Sequence, residues 1–387
     1  MLIELLYFLT AATGTLFLLY ILQPIAVRIG LVDRPKGHKK HQGEIPLVGG
    51  IAMFGGFWTT VLLFDIPCPS KLSFAIASTL LIIMGIWDDC RPLPAWIRLV
   101  AQSAAALVMI VGGEAVVENL GDILGYSEIV LERWLAVPFT MIAIVGVINA
   151  MNMIDGLDGV AGSLVALLLL CLVGLTVWDK LADQNIISLV LLATVVSFLG
   201  FNLPLFGKQA KLFMGDSGSM FLGLTAAWLL ISLSQQPHNI LAPVTALWLL
   251  AIPLVDTVNL LLRRLALGIS PLSSNRDHLH HILLSVGYSS RQTLGIIISL
   301  ASLFIGVGLL GKYLHLPQSF LFYGFMSLFI IYCYVTFYTW RKINLNFSQN
   351  IDEIKCSSHL LQAEFSGYAG RTDHSASSSS DGYKSMN

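Results

Sequence analysis

The chain has 387 residues, of which 56% are hydrophobic and only 12% charged, with a net charge of −1 and a mean hydropathy of +0.77. A soluble domain carries about 25% charged residues, so a water-soluble globule is excluded, and the near-neutral balance supplies no field for nucleic acid. The five cysteines, at 68, 90, 171, 333 and 356, show neither metal-ligand spacing nor a disulfide framework.

Eleven apolar runs follow in chain order, at 2–22, 47–64, 72–86, 97–112, 134–150, 161–178, 186–202, 218–234, 240–261, 292–312 and 318–340. Crossing a hydrocarbon core of about 30 Å takes roughly twenty apolar residues, and a helix satisfies its own backbone in lipid. The expected fold class is therefore all-α: a polytopic integral membrane protein with about eleven transmembrane helices over residues 1–342. The first run starts at once, without a basic leader or a small-residue cleavage site, and reads as a retained span. Residues 343–387 are polar, end near a serine cluster (Ser377–Ser380), and are expected to form a disordered cytoplasmic tail. With the N-terminus outside, only Lys71, Arg133, Lys180 and Lys312 of the 22 lysines and arginines fall outside. That asymmetry sets the orientation and puts the C-terminus in the cytoplasm.

Five polar segments then share the inner side. The first, 33–50, is basic and rich in turn formers, and includes Lys40 and His41; it is either topogenic charge or a receptor for an anionic lipid head group. The second holds Asp88 and Asp89 at the end of an apolar run. Adjacent carboxylates repel and want a cation or a shared proton; a magnesium ion takes one or two carboxylates plus substrate phosphates. A solvated helix end is the plain alternative. Arg98, at the start of the next run, either snorkels to the interface or reaches back to a phosphate.

The third segment, NAMNMIDGLDG, repeats Asn149, Asn152, Asp155 and Asp158 at every third residue. Neighbours at that spacing share a helix face, and a capped helix junction would need one such residue, not four. Gly156, Gly159 and Gly162 would let backbone amides approach a ligand. The fourth, FMGDSGS at 213–219, joins Asp216 to the start of a run, where a helix N-terminus suits phosphate; capping by Asp216 and core packing by Phe213 are the plain alternatives. Asp256 lies inside a run, ahead of Arg263 and Arg264; it is either functional, as buried carboxylates in spans tend to be, or a structural pairing. The fifth places His278, His280 and His281 behind Arg276. Zinc is the obvious metal for histidine, but no cysteine is near and two of the three are adjacent, so donor or proton-transfer roles suit them better.

In order, HQGEIPLVGG (41–50), WDD (87–89), NAMNMIDGLDG (149–159), FMGDSGS (213–219), PVTALWLLAIPLVD (243–256) and SPLSSNRDHLHH (270–281) resemble the motifs of the polyprenyl-phosphate N-acetylhexosamine-1-phosphate transferase superfamily. HLHH after an arginine is similar to the bacterial undecaprenyl-phosphate N-acetylglucosamine-1-phosphate branch. The phospho-MurNAc-pentapeptide branch shows a histidine triplet and a TPTMGG-like loop, where this chain reads IPLVGG.

The resemblance implies transfer of GlcNAc-1-phosphate from UDP-GlcNAc to undecaprenyl phosphate, releasing UMP, at the cytosolic face of a bacterial inner membrane. The product would start a surface polysaccharide such as O antigen. The resemblance further implies Mg2+, with Mn2+ as a substitute. It makes Asp216 the principal metal ligand with Asn152 beside it, and gives the uracil to Asp158 and Phe213. Arg98 would bind phosphate, Asp88 and Asp89 would lie beside the metal and the attacking lipid phosphate, and Asp155 with His278, His280 and His281 would organise the sugar-phosphate end. Lys40, His41 and Arg276 complete the implied substrate contacts. The partners are these two substrates and membrane lipid, with no nucleic acid; a homodimer stays open. Two rivals remain: the same chemistry on another UDP-N-acetylhexosamine, and a cation-coupled transporter built on Asp256 and the aspartate loops. Transporters bind ions near the midplane, whereas most carboxylates here fall in inner loops.

Overall fold

The computed structural model describes residues 2–34, 43–68, 70–179, 182–203, 210–236, 239–270 and 278–342. Lys40, His41, Arg276 and the tail 343–387 lie outside the described residues. The chain divides into two compact units, Met1–Cys333 and Tyr334–Asn387; what is described of the second is the end of the last helix.

The helices are α1 (Leu2–Ile29), α2 (Gly49–Leu63), α3 (Lys71–Cys90), α4 (Ala95–Gly113), α5 (Arg133–Ile154), α6 (Val160–Trp178), α7 (Ala182–Asn202), α8 (Gly215–Ser234), α9 (Pro243–Leu249), α10 (Ala251–Ala266), α11 (Leu279–Val286) and α12 (Ser290–Tyr313), then α13 (Gln318–Lys342). Strands β1 (Val32–Asp33) and β2 (Ile45–Pro46) pair antiparallel in the first polar segment. Among the described residues nine helices are long and apolar enough to cross a membrane, or ten with the bent pair α9–α10. The chain is an all-α polytopic membrane protein.

Two of the expected spans depart from a plain crossing. Helix α2 has 15 residues, a length of about 22 Å at 1.5 Å per residue, short of the roughly 30 Å core. The run 240–261 breaks between α9 and α10 with an angle of 84°. Pro253 explains the break. Its ring would clash with the carbonyl four residues back, which belongs to Leu249, the last residue of α9.

Helix α8 is the centre of the first unit: nearly all of its length is buried, whereas α1 is largely exposed. It packs against α2, α3 and α5, and small residues permit the close approach. A Cβ at Gly85 on α3 would run into the backbone of Ser217, one at Gly50 on α2 into that of Gly218, and one at Gly223 on α8 into that of Ile148 on α5. The first turn of α8 is thus clamped by backbone from two other helices, and Asp216 sits in that turn.

Candidate active site

The ends of α3, α5 and α8, with the start of α4, bring the aspartates together. Asp88 is buried; its Oδ1 accepts from Leu93 N at 2.6 Å, and its Oδ2 lies 3.2 Å from Arg98 Nη1. Arg98, expected on a phosphate, is therefore held by a carboxylate, while its side chain keeps 34% exposure with which to meet one. Asp89 Oδ1 accepts from Asp216 N at 2.9 Å. The N-cap residue of α8, Met214, offers no side-chain cap, so Asp89 satisfies one of the amides a helix start leaves over. Asp89 Oδ2 is buried without a hydrogen-bond partner.

Asn152 Nδ2 donates to Asp216 Oδ1 at 2.7 Å and to Ser219 Oγ at 2.9 Å. Helix α5 stops at Ile154, which leaves Asp155 as its C-cap and Asp158 in the following turn. Asp155 is pushed well above the usual carboxylate range, first by burial and then by the charges of Asp216, Asp158 and Asp89. On their Cβ side the glycines of this loop meet other protein atoms. Gly162 packs on Leu199 and Phe198, Gly159 (φ +83°) on Leu203, and Gly156 on the ring of His280.

Asn149 exchanges hydrogen bonds with Gln102: Nδ2 donates to Gln102 Oε1 at 2.6 Å and Gln102 Nε2 to Asn149 Oδ1 at 3.4 Å. Asn202, at the end of α7, accepts from Gly159 N at 2.8 Å and donates to Leu212 O at 3.0 Å, tying the aspartate loop to the segment before α8. Sequence reasoning missed both Gln102 and Asn202. Their only signal was an amide inside an apolar run, which must find a partner there.

Phe213 is half-buried, and its backbone is pinned to the IPLVGG segment: Phe213 N donates to Pro46 O at 2.9 Å, and Gly49 N to Phe213 O at 3.0 Å. The fourth polar segment and the end of the first therefore form one surface.

Asp256 gathers the fifth segment. Its Oδ2 is 2.9 Å from His278 Nδ1, and its Oδ1 accepts from Leu279 N at 3.0 Å and Tyr332 Oη at 2.8 Å. His280 is 1% exposed and rests on Gly156 of the aspartate loop. Burial, then the neighbouring His281 and His278, push His280 down to about 3, against an opposing pull from Asp256. His281 stacks at a tilt on His280, centroids 4.1 Å apart.

Thus Asp88, Asp89, Asn152, Asp155, Asp158 and Asp216 form one neighbourhood with Arg98, and the histidines abut it through Gly156. Among the described residues, no three His, Cys, Asp or Glu side chains close into a ready metal cage.

Residues 71–234 match the glycosyl transferase family 4. The undecaprenyl-phosphate alpha-N-acetylglucosaminyl 1-phosphate transferase of Escherichia coli (strain K12) is 35% identical over 329 residues, 84% of this chain and 89% of that protein. The protein of the same description from Pasteurella multocida (strain Pm70) is 37% identical over 331 residues, 85% and 92% of the two chains. The one from Yersinia pestis is 34% identical over 329 residues, 84% and 88%.

Proposed function

We infer that this chain, which belongs to glycosyl transferase family 4, transfers N-acetylglucosamine-1-phosphate from UDP-GlcNAc to undecaprenyl phosphate. The products are undecaprenyl-diphospho-GlcNAc and UMP, and the lipid product begins a cell-surface polysaccharide. The observation that carries this reading, beside the relatives, is the meeting of five aspartates with Arg98 at the ends of membrane helices. A site at the ends of membrane helices suits one substrate with a prenyl tail and one nucleotide.

In this reaction an oxygen of the lipid phosphate bonds to the sugar-proximal phosphorus, and the bridging bond to UMP breaks. The nucleophile is already ionised near neutrality, so the chain's task is positioning and charge compensation. Arg98, steadied by Asp88, meets phosphate oxygen. Asp89 holds the start of α8 and so fixes where Asp216 stands. Asp158 and Phe213 hold the uracil, one at its edge and one at its face. Neutral His280 donates or accepts a hydrogen bond without adding charge, and the histidine group serves the sugar-phosphate end.

Five carboxylates against one guanidinium, with Asp89 Oδ2 buried and unpartnered, fit a divalent cation. Asp216 and the Asp88–Asp89 pair would hold Mg2+, or Mn2+ in its place, with Asn152 beside them. Asn152 commits its nitrogen to Asp216, and a metal would take its oxygen. The ion would neutralise the diphosphate as charge shifts to the leaving UMP.

The distribution of lysine and arginine supports an N-terminus outside, eleven crossings counting α2 and the bent pair, and a site facing the cytosol of a bacterial inner membrane. The test is an assay of the purified protein with undecaprenyl phosphate and a panel of UDP-sugars, following UMP and lipid product. UDP-GlcNAc is expected to be used best. Preference for another UDP-N-acetylhexosamine would reassign the donor, and no UMP from any of them would end the reading.

A further inference from the structure

Helix α11 carries two of the three histidines and has only eight residues. So short a helix is marginal alone, and its N-cap residue, His278, makes no side-chain cap. Its N-terminus is secured from elsewhere. Asp256, 2% exposed on α10, accepts from the first helical amide, Leu279 N, at 3.0 Å. The same carboxylate takes His278 Nδ1 at 2.9 Å. The ring is thereby oriented, and its Nδ1 proton assigned, so that Nε2 is the atom left to act. Tyr332 Oη, from α13, donates to the oxygen that holds Leu279 N, at 2.8 Å. Three donors thus converge on one buried carboxylate, which a buried charge needs.

The consequence reaches the aspartate loop. The rings of His278 and His280 lie parallel, with 1° between their planes and centroids 5.7 Å apart. His280 in turn fills the space over Gly156, where a Cβ would overlap its Nε2. Gly156 is the residue after Asp155. The bend between α9 and α10 matters here, because α10 takes its direction from that break and Asp256 stands in its second turn.

We propose that Asp256 and Tyr332 are positioning residues of the transferase: Tyr332 steers the Asp256 carboxylate, which caps α11 and orients His278, and so seats His280 against the aspartate loop. This rests on the function proposed above. Both act through another residue: Tyr332 on Asp256, and Asp256 on Leu279 and His278. Misplacing reacting groups by about 1 Å costs about 100-fold in rate, and losing one of three donors is a milder version of that fault. Tyr332→Phe is therefore expected to lower kcat about 10-fold, and Asp256→Asn about 100-fold. KM for UDP-GlcNAc and for undecaprenyl phosphate should change less than about twofold, because the fault lies in seating the reacting groups and is felt in the transition state rather than in ground-state binding.

The experiment pairs that kinetic split with hydrogen exchange on the purified full-length protein, comparing wild type, Tyr332→Phe and Asp256→Asn. Tyr332→Phe removes one oxygen and keeps the ring, so it serves if Asp256→Asn fails to fold. Faster exchange confined to the α11 peptide together with the kcat loss supports the proposal. Unchanged α11 exchange with unchanged kcat overturns it. So does faster exchange without a kcat loss, or a loss seen only as a lower thermal midpoint. If wild type turns over none of the UDP-sugars, the functional reading falls, while the exchange data still show whether the carboxylate secures α11.

Discussion

At the scale of single residues, the site is organised by surplus negative charge. Asp216 shares its surroundings with Asp88 and Asp89 and is hydrogen-bonded by Asn152. Asp216→Asn keeps the shape and removes one charge. Turnover is expected to fall by more than about 100-fold, the scale for deleting a group aimed at transition-state charge. The thermal midpoint in detergent without divalent cation should hold or rise, since one repulsive term disappears. Near-normal turnover at ordinary Mg2+ would remove Asp216 from its role. Chelation of divalent ions should stop wild type, and Mg2+ or Mn2+ should restore it; rescue by Zn2+ alone would move the metal to the histidines.

His280 gives a second residue-scale test. It falls from 6.5 in the open chain to about 3 in the fold. Between those values the unfolded chain binds a proton that the folded one does not, so stability drops as pH falls through that window. At one proton the slope is about 1.4 kcal/mol per pH unit. His280→Gln lacks this proton and should lose less stability than wild type between about pH 6 and 5. Equal acid sensitivity of the two proteins would show that His280 is not buried neutral.

At the scale of elements, the chain repeats one device: an aspartate on one helix caps the start of another. Asp89 does so for α8 and Asp256 for α11. No local sequence rule shows this, because the N-cap positions hold Met214 and His278. The sequence did expose the helices themselves, whose apolar runs are long, and the aspartates, whose spacing exceeds what a cap requires. Gln102 and Asn202 stayed hidden because their partners, Asn149 on α5 and Gly159 in the turn before α6, lie more than forty residues away in sequence. The bend after Leu249 was legible in Pro253 but sat inside a run that reads as continuous. The glycines were legible as special, while the close packing of Gly156 on His280 and of Gly159 on Leu203 was not. Gly85 makes the point testable: its Cβ would strike the backbone of Ser217, which cannot swing aside. Overpacking of this kind costs about 1–3 kcal/mol, so Gly85→Ala should lower the thermal midpoint. It should also depress turnover beyond the loss of folded protein, since α8 carries Asp216 in that turn. Gly174→Ala on α6, with open space around it, should be neutral or slightly stabilising. Equal behaviour of the two variants would refute the clamp on α8.

At the scale of the whole molecule, sidedness decides which substrates can reach the site. Carboxylates from α3, the α5–α6 loop and α8 share one neighbourhood, so the proposed site lies at one end of the bundle. The acidic stretch with Glu114, Glu118 and Glu128 belongs to the loop at the other end of α4 and α5. Phosphorylated lipid and nucleotide must reach the first end. In the orientation proposed above that end is the cytosolic one, the reading that leaves only Lys71, Arg133, Lys180 and Lys312 of the 22 basic residues on the other side. Cys90 is an exposed thiol directly after Asp89, Ser285 is exposed on α11, and Tyr126 is 91% exposed in the acidic loop. In a background with Cys68, Cys171, Cys333 and Cys356 changed to serine, a membrane-impermeant maleimide should label Tyr126→Cys on intact spheroplasts. Cys90 and Ser285→Cys should react only after the membrane is opened or inverted. Reaction of Cys90 and Tyr126→Cys from the same side would break the alternation of spans, because α4 would then fail to cross. Reversed accessibility of all three would keep the bundle and the convergent site but turn the site away from the cytosol, where UDP-sugars are made. In that case the charge rule, not the fold, would have failed for this chain.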